Sequence, residues 1–316
     1  MKLNVKRQAR AALCAGMLAA TALLASCGGG DQVSTFRATR VIALGDELSV
    51  INTDGSKYTV NALASGSSTQ LECNTNPVWI QSVAAMYGLA FPQCPGLATD
   101  PPSRIYAANG AVVADIAGQI DTHLGNGGFA ARDIVTVLVG SNDVVAQFQQ
   151  YPAVGEDQLA ANLSAAGKAL AVQVNRLADL GAKVLIVTIP DMGLTPFAGD
   201  RSAGSTDGNP ALLTRLSTRF NDALLAGLLN DGHKIGLIQL DEYLKAVDSA
   251  ARRGQGSINN TTQPACSVAL PRCTTNTVVA DAVNSVWLWA DSRRLGPIGQ
   301  SSLGSLARSR AENNPF

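Results

Sequence analysis

The side chains best placed to do chemistry lie in short stretches far apart in the chain. They are Gly45-Asp46-Glu47-Leu48-Ser49, Asn109-Gly110, Gly140-Ser141-Asn142-Asp143 and Trp289-Ala290-Asp291-Ser292-Arg293-Arg294. A serine hydroxyl attacks an acyl carbon only when a neighbouring base takes its proton. A carboxylate can attack or accept a proton, and a guanidinium can grip an anion but cannot act as a base near neutral pH. The pattern pairs carboxylates and arginines around glycine turns.

The elements that must position these groups are readable from apolar runs. Val41-Ile42-Ala43-Leu44 runs into Gly45-Asp46. Ile134–Val139 runs into Gly140-Ser141-Asn142-Asp143, and Val184–Ile189 runs into Pro190-Asp191-Met192-Gly193. Short β-branched runs that stop at a polar turn read as buried strands. In an open α/β sheet the ligand site lies at the carboxyl edge of such strands. A further short strand is expected near Arg104 and a last one over Ile235–Leu240. Helices are expected from Pro77 to about Tyr87, Val112 to Leu124, Asp157 to Leu180, Pro210 to Leu229, Asp241 to Arg252 and onward from Pro297. Pro at a helix start and Gly181 after a helix end are the usual punctuation. Strands alternating with helices imply right-handed crossovers and a parallel sheet. The segment Ile51–Asn76 and the region around Cys266 and Cys273 read as long loops, and no internal repeat is present.

The amino terminus reads as an export signal. Residues 1–26 carry Lys2, Lys6, Arg7 and Arg10 ahead of an apolar stretch from Ala11 to Ala25. That is a basic head, a short apolar middle and a small-residue cut site. The apolar stretch is too short for a comfortable membrane span. Leu24-Ala25-Ser26-Cys27 resembles a bacterial lipobox, which makes Cys27 the lipidated first residue and residues 27–40 a flexible tether. An ordinary cleaved signal with an incidental cysteine is the alternative. By resemblance to lipoprotein sorting, Gly28 directs the protein to the outer membrane. Residues 41–316 are then one large domain. Cleavage removes four of the 24 bases and no acid, leaving 20 bases against 24 acids, a net charge of −4. That balance gives no basic face for nucleic acid.

Four cysteines remain beyond Cys14 and Cys27: Cys73, Cys94, Cys266 and Cys273. Exported cysteines favour disulfides. Three pairings are open, and locality favours Cys73–Cys94 with Cys266–Cys273. There is no Cys-x-x-Cys and neither histidine lies near a cysteine, so the pattern does not call for a metal. No cofactor motif is present either.

Taken in order, the polar stretches resemble the GDSL family of SGNH hydrolases. Thr188-Ile189-Pro190-Asp191-Met192-Gly193-Leu194-Thr195-Pro196 and Arg219-Phe220-Asn221-Asp222-Ala223-Leu224 are similar to further segments of that family. The resemblance implies a three-layer α/β/α, flavodoxin-like sandwich with a central parallel sheet. It also implies ester-hydrolase ancestry, with lipids and acetylated sugars as substrates. Gly110 and Asn142 match the family's oxyanion-hole residues, and Asp291 matches the Asp of its late Asp-x-x-His. Two positions depart: Glu47 stands at the nucleophile serine and Arg294 at the base histidine.

These departures remove a hydroxyl that could be activated and the base that would activate it. Glu47 as a nucleophile is disfavoured, because its charge would sit beside a site meant for an oxyanion. Ser49, Ser141, His123 and His233 are the other candidates. Ser49 reads as a polar residue opening the next segment and Ser141 as a turn hydroxyl bonded to local backbone. His123 reads as a solvated or capping residue, and His233 falls in a turn at the opposite edge from the ligand site. The parent side chains at 47 and 294 touch in the family, so the two departures are expected either to form an ion pair that closes the site or to be merely solvated in a dead one. The resulting readings are a pseudo-hydrolase that binds an acylated glycan, a lipid or an envelope protein, an ester hydrolase with rewired residues, or a structural lipoprotein of the envelope.

Overall fold

The structure, a computed structural model, describes residues 36–96, 100–200 and 209–316. The signal 1–26, Cys27 and most of the tether lie outside the described residues. Residues Arg37–Phe316 form one compact unit. Among the described residues, no helix is long and apolar enough to cross a membrane.

The apolar runs form the central sheet. Its strands are β1 (Arg40–Gly45), β2 (Arg104–Ile105), β3 (Asp133–Leu138), β4 (Lys183–Val187) and β5 (Ile235–Ile238). They pair in the order β2-β1-β3-β4-β5, all parallel. That order is the flavodoxin-like doubly wound arrangement. β3 is buried along its whole length, as a strand covered on both faces must be.

The helices are α1 (Trp79–Met86), α2 (Ile116–Gly125), α3 (Ser141–Phe148), α4 (Glu156–Asp179), α5 (Pro196–Asp200), α6 (Pro210–Gly227), α7 (Leu240–Arg252) and α8 (Pro297–Asn313). α1 packs on α8, and α4 packs on α6. α1 meets β1 and α8 meets β4 and β5, while α2 meets β1 and α4 meets β4. The three-layer α/β/α sandwich expected from the sequence is therefore the fold observed. Pro210 and Pro297 open their helices as expected, and Asn209 caps α6 by accepting from the Leu212 N–H at 2.9 Å.

Some elements differ from expectation. Ser141–Phe148 is a helix rather than a turn, because the polar residues after Gly140 supply its first turn. The helix expected from Asp241, with that residue as its cap, starts one residue earlier: α7 follows Gln239, and Asp241 lies inside it and accepts from the Thr188 hydroxyl at 2.6 Å. The region of Cys266 contains a small parallel pair, β6 (Asn260–Pro264) and β7 (Trp287–Trp289). It is built on a second apolar cluster of Val60, Ala265, Cys273, Trp287 and Ala290. Both local disulfides, Cys73–Cys94 and Cys266–Cys273, are formed. The segment Ile51–Asn76 is ordered around a buried cation: the Lys57 ammonium donates to the carbonyls of Cys73, Thr75 and Asn76 at 2.7, 2.8 and 3.0 Å.

Candidate active site

Two glycines set the site's frame. Gly45 ends β1 at φ +126° and Gly140 follows β3 at φ +127°. A Cβ at Gly45 would collide with the Leu138 carbonyl oxygen, and one at Gly140 with the Phe220 ring. Both chains therefore turn sharply at the same sheet edge, where only glycine fits. The first turn delivers Asp46 and Glu47. The second delivers Ser141, Asn142 and Asp143 at the start of α3.

Glu47 opens a one-turn 3₁₀ helix, Glu47–Ser49, capped by Asp46, whose carboxylate accepts from the Leu48 N–H at 3.1 Å. The Glu47 side chain is only 5% exposed. Its Oε2 accepts from the Gly110 N–H at 3.0 Å and from the Asn142 Nδ2 at 3.0 Å. Asn142 is held in place by a second bond from Nδ2 to the Ala111 carbonyl at 3.0 Å. Gly110 has φ +77°, which turns its N–H toward Glu47.

The other carboxylate oxygen meets Arg294. Oε1 accepts from Arg294 Nε at 2.8 Å and lies 2.7 Å from its Nη2. Arg294 Nη1 donates to Asp291 Oδ2 at 2.8 Å. Asp291 Oδ1 accepts from the backbone N–H groups of Arg293 and Arg294 at 2.9 and 2.7 Å, so the turn folds around its own carboxylate. β7 leads directly into this turn. Cys266 N–H donates to the Ala290 carbonyl at 2.8 Å, and Ala290 N–H to the Arg294 carbonyl at 2.8 Å. The Cys266 loop and the Arg294 turn are thus tied together.

The structure brings together Glu47, Gly110, Asn142, Asp291 and Arg294, and the solvated alternative for Glu47 and Arg294 does not hold. Burial alone would push the Glu47 carboxyl up. The Arg294 charge and the bonds from Asn142 and Gly110 outweigh it and hold the group below the ordinary range. Arg294 loses solvation too, but Asp291 and Glu47 raise it above its ordinary value. Arg293 is lowered by burial and by its charged neighbour Arg294, and its guanidinium lies 5.8 Å from the centroid of the Phe197 ring.

Three nearby acids and phenols were not singled out by sequence pattern. Asp46 is pushed well above the carboxylate range by burial and then by the Glu47 charge. Asp143 accepts from the Val113 N–H, and burial raises it to about 6. Tyr58 is raised by burial and by the charge on Glu47. Asp46 and Asp143 stood inside the quoted motifs. Tyr58 carries no signal in sequence, because it reaches the site from a loop.

The other candidates lie in structural roles. Ser49 is fully buried and accepts from Trp79 Nε1 at 3.1 Å. The Ser141 hydroxyl is buried and, contrary to expectation, has no hydrogen-bond partner among the described residues. His123 is buried rather than solvated. Its Nδ1 lies 3.0 Å from the Tyr106 hydroxyl and its ring packs on Phe129. It shares a cavity with Arg40, the first residue of β1, and so belongs to the amino edge. His233 is exposed and bonds the Pro315 carbonyl. Asp191 ties its own turn to α6, accepting from Gly193 N–H and the Thr214 hydroxyl at 2.9 and 2.8 Å. Among the described residues, no group of three or more His, Cys, Asp or Glu side chains gathers as metal ligands would.

Chemically the arrangement is a filled anion receptor. The two donors that could polarise a carbonyl oxygen are both occupied by Glu47 Oε2. A substrate oxygen and the Glu47 carboxylate cannot hold the same place. Arg294, opposite, remains charged and takes no proton.

No family model matches the sequence, and no curated protein sequence does. Solved structures similar to the chain include a member of the lipolytic protein G-D-S-L family from Veillonella parvula DSM 2008, at 13% identity and a TM-score of 0.45. The similarity covers 85% of this chain and 96% of that one. The lipase Lip_vut3 from a goat rumen metagenome is similar at 12% identity and a TM-score of 0.49, over 88% of this chain and 99% of that one. An extracellular lipase from Streptomyces rimosus is similar at 17% identity and a TM-score of 0.44, over 87% of this chain and 100% of that one.

Proposed function

We propose that this chain is an exported lipoprotein on an SGNH hydrolase-type frame, of esterase ancestry, whose hydrolytic centre is closed by its own Glu47. It binds a ligand in the adjoining cleft without cleaving it. The observation that carries this reading is the placement of Glu47 Oε2 on both Gly110 N–H and Asn142 Nδ2, 3.0 Å from each. The order of the motifs along the chain supports the ancestry, with Glu47 at the nucleophile position and Arg294 at the base position.

A cleft of about 520 Å³ continues from Gly110 and is lined by Tyr106, Asn109, Asp115, Gln119 and Thr122 among others. These groups suit a hydroxyl-rich ligand such as an acylated glycan better than a bare lipid chain. Residues 1–27 support export and a lipid anchor at Cys27, with Gly28 favouring the outer membrane. Incorporation of labelled palmitate that disappears in Cys27→Ala tests the anchor.

Turnover of p-nitrophenyl butyrate tests the closed centre. Wild type is expected to show no more than Glu47→Ala. The double variant Glu47→Ser with Arg294→His is expected to gain turnover, because it restores a hydroxyl and a base beside intact donors. Robust wild-type turnover that vanishes in Glu47→Ala overturns the reading.

A further inference from the structure

A second cavity lies away from Glu47, in the layer formed by α1 and α8. It holds about 400 Å³, within the range of small-molecule sites. Its wall is mainly apolar: Ala84, Ala85, Met86, Leu89, Ala90 and Phe91 all line it. Phe91, which lines it, is buried. Gly304 makes the layer possible at this point, since a Cβ there would press on Ser82 at 2.7–2.8 Å. The start of α1 is fixed near the first site by Trp79, whose Nε1 donates to Ser49 and whose N–H donates to Gln300 at 3.0 Å. Arg308 lies eleven positions beyond Pro297 in α8, which at about 1.5 Å per residue puts it some 17 Å along the helix from that end.

Arg308 is the one cation lining this cavity. It is exposed and has no ion-pair or hydrogen-bond partner among the described residues. No acidic side chain lines the cavity with it. Arg40, Arg176 and Arg215, by contrast, are matched by Asp133, Asp121 and Glu156. An apolar slot with one unmatched guanidinium is complementary to an amphiphile with a single negative charge. The planar fork of arginine fits a carboxylate with two parallel hydrogen bonds.

We propose that this cavity binds a medium-chain fatty acid, with the alkyl chain along Ala84–Phe91 and the carboxylate on Arg308. A multiply charged ligand would need more cations than the wall supplies. An uncharged alkane would leave Arg308 without an anion. The site is independent of the closed centre, so its occupancy does not require Glu47 to move.

Titration calorimetry of the full chain with decanoate, kept below its micelle concentration, tests this. Saturable one-site binding is expected. Arg308→Met should weaken it at least tenfold, Ala85→Phe should abolish it by filling the slot, and 1-decanol should bind at least tenfold more weakly than decanoate. Both substitutions are at exposed positions. Hydrogen–deuterium exchange on the wild type removes any dependence on variant folding. Decanoate should protect residues 84–91 and the last turns of α8, and leave Glu47–Ser49 unchanged. Absence of saturable binding, affinity unchanged in both variants, equal binding of decanol, or protection confined to other segments would each overturn the proposal.

Discussion

Glu47 and Arg294, 247 positions apart in the chain, meet so that Nε and Nη2 of the guanidinium converge on a single carboxylate oxygen, at 2.8 and 2.7 Å. The other oxygen is left to the two donors at Gly110 and Asn142. Every lone pair that burial would strand has a partner. The charges are consequently interdependent. Buried pairs of this kind are weak contributors as a pair but costly to break one partner at a time.

Removal of either partner should therefore be severe. Glu47→Ala leaves Arg294 with Asp291 alone, and Arg294→Met leaves a buried carboxylate without its cation. Each is expected to lower stability by about 3–5 kcal/mol. The double variant should lose much less than the sum, because the second change removes the charge stranded by the first. Urea unfolding at pH 7 measures all three. Additive losses would show that the two side chains are energetically uncoupled.

Filling the receptor from outside should restore part of the loss. Glu47→Gly leaves the Gly110 and Asn142 donors and the Arg294 guanidinium facing a space the size of a small carboxylate. Acetate should raise the melting temperature of this variant by several degrees more than an equal concentration of chloride, and wild type should show no such difference. Equal effects of the two salts on the variant would mean that the donors do not persist as a receptor once the glutamate is gone.

The ionisation of Glu47 gives a direction for acid sensitivity. Its folded-state value lies below the ordinary 4.5, because Arg294 and the two donors outweigh desolvation. A group depressed on folding contributes stability above its unfolded value and loses it as pH falls through the folded one. The stability gap between wild type and Glu47→Gln should thus be constant from pH 6 to 8 and shrink below about pH 4.5. A gap that widens on acidification contradicts this.

Much of this was legible in the sequence, and the reasons are physical. Buried parallel strands such as Ile134–Val139 are continuous apolar runs, so their number and direction follow from pattern. Gly45 and Gly140 mark turns that no other residue can make. The meeting of residues 47 and 294 was one of two readings that the family resemblance left open, because opposite charges stand where two touching side chains stand in that family, and sequence alone did not decide between an ion pair and two solvated side chains. The occupation of the Gly110 and Asn142 donors by Glu47 itself was not legible, since a rotamer leaves no trace in composition. The pair β6 and β7 was missed because Asn260–Pro264 is polar and Trp287–Trp289 spans one residue triplet. His123 was misread because a histidine at a helix end is usually wet. Here Phe129, beyond the Asn126-Gly127-Gly128 break, folds back over it.

Lys57 shows a comparable gap between composition and structure. A loop rich in Gly, Ser, Thr and Asn looks mobile, yet its carbonyls at Cys73, Thr75 and Asn76 converge on one buried ammonium. Lys57→Met should keep the aliphatic stem but leave three carbonyls without their shared donor, at a cost of about 3 kcal/mol. Limited proteolysis should then cut within residues 63–76 in the variant and not in wild type. Unchanged proteolysis and an unchanged urea midpoint would mean that the ammonium is incidental to the loop.

Asp143 responds to pH with the opposite sign to Glu47. It stands at the third position of α3 and accepts from the Val113 N–H at 3.1 Å, but no cation pairs with it among the described residues. Burial raises it from the ordinary 3.8 to about 6. A carboxyl raised on folding contributes stability below its unfolded value and loses that contribution as pH rises through the folded one. At pH 7.5 the ionised group is therefore a cost of about 2–3 kcal/mol, at 1.36 kcal/mol per pH unit. Asp143→Asn keeps a carbonyl oxygen for Val113 and removes the charge. The variant should be more stable than wild type at pH 7.5, and the advantage should shrink as pH falls through 6 and vanish below about pH 3, where wild-type Asp143 is neutral in both states. Urea midpoints of the two proteins at these pH values give the answer. An advantage of the same size at both would show that the gain has nothing to do with ionisation at this position.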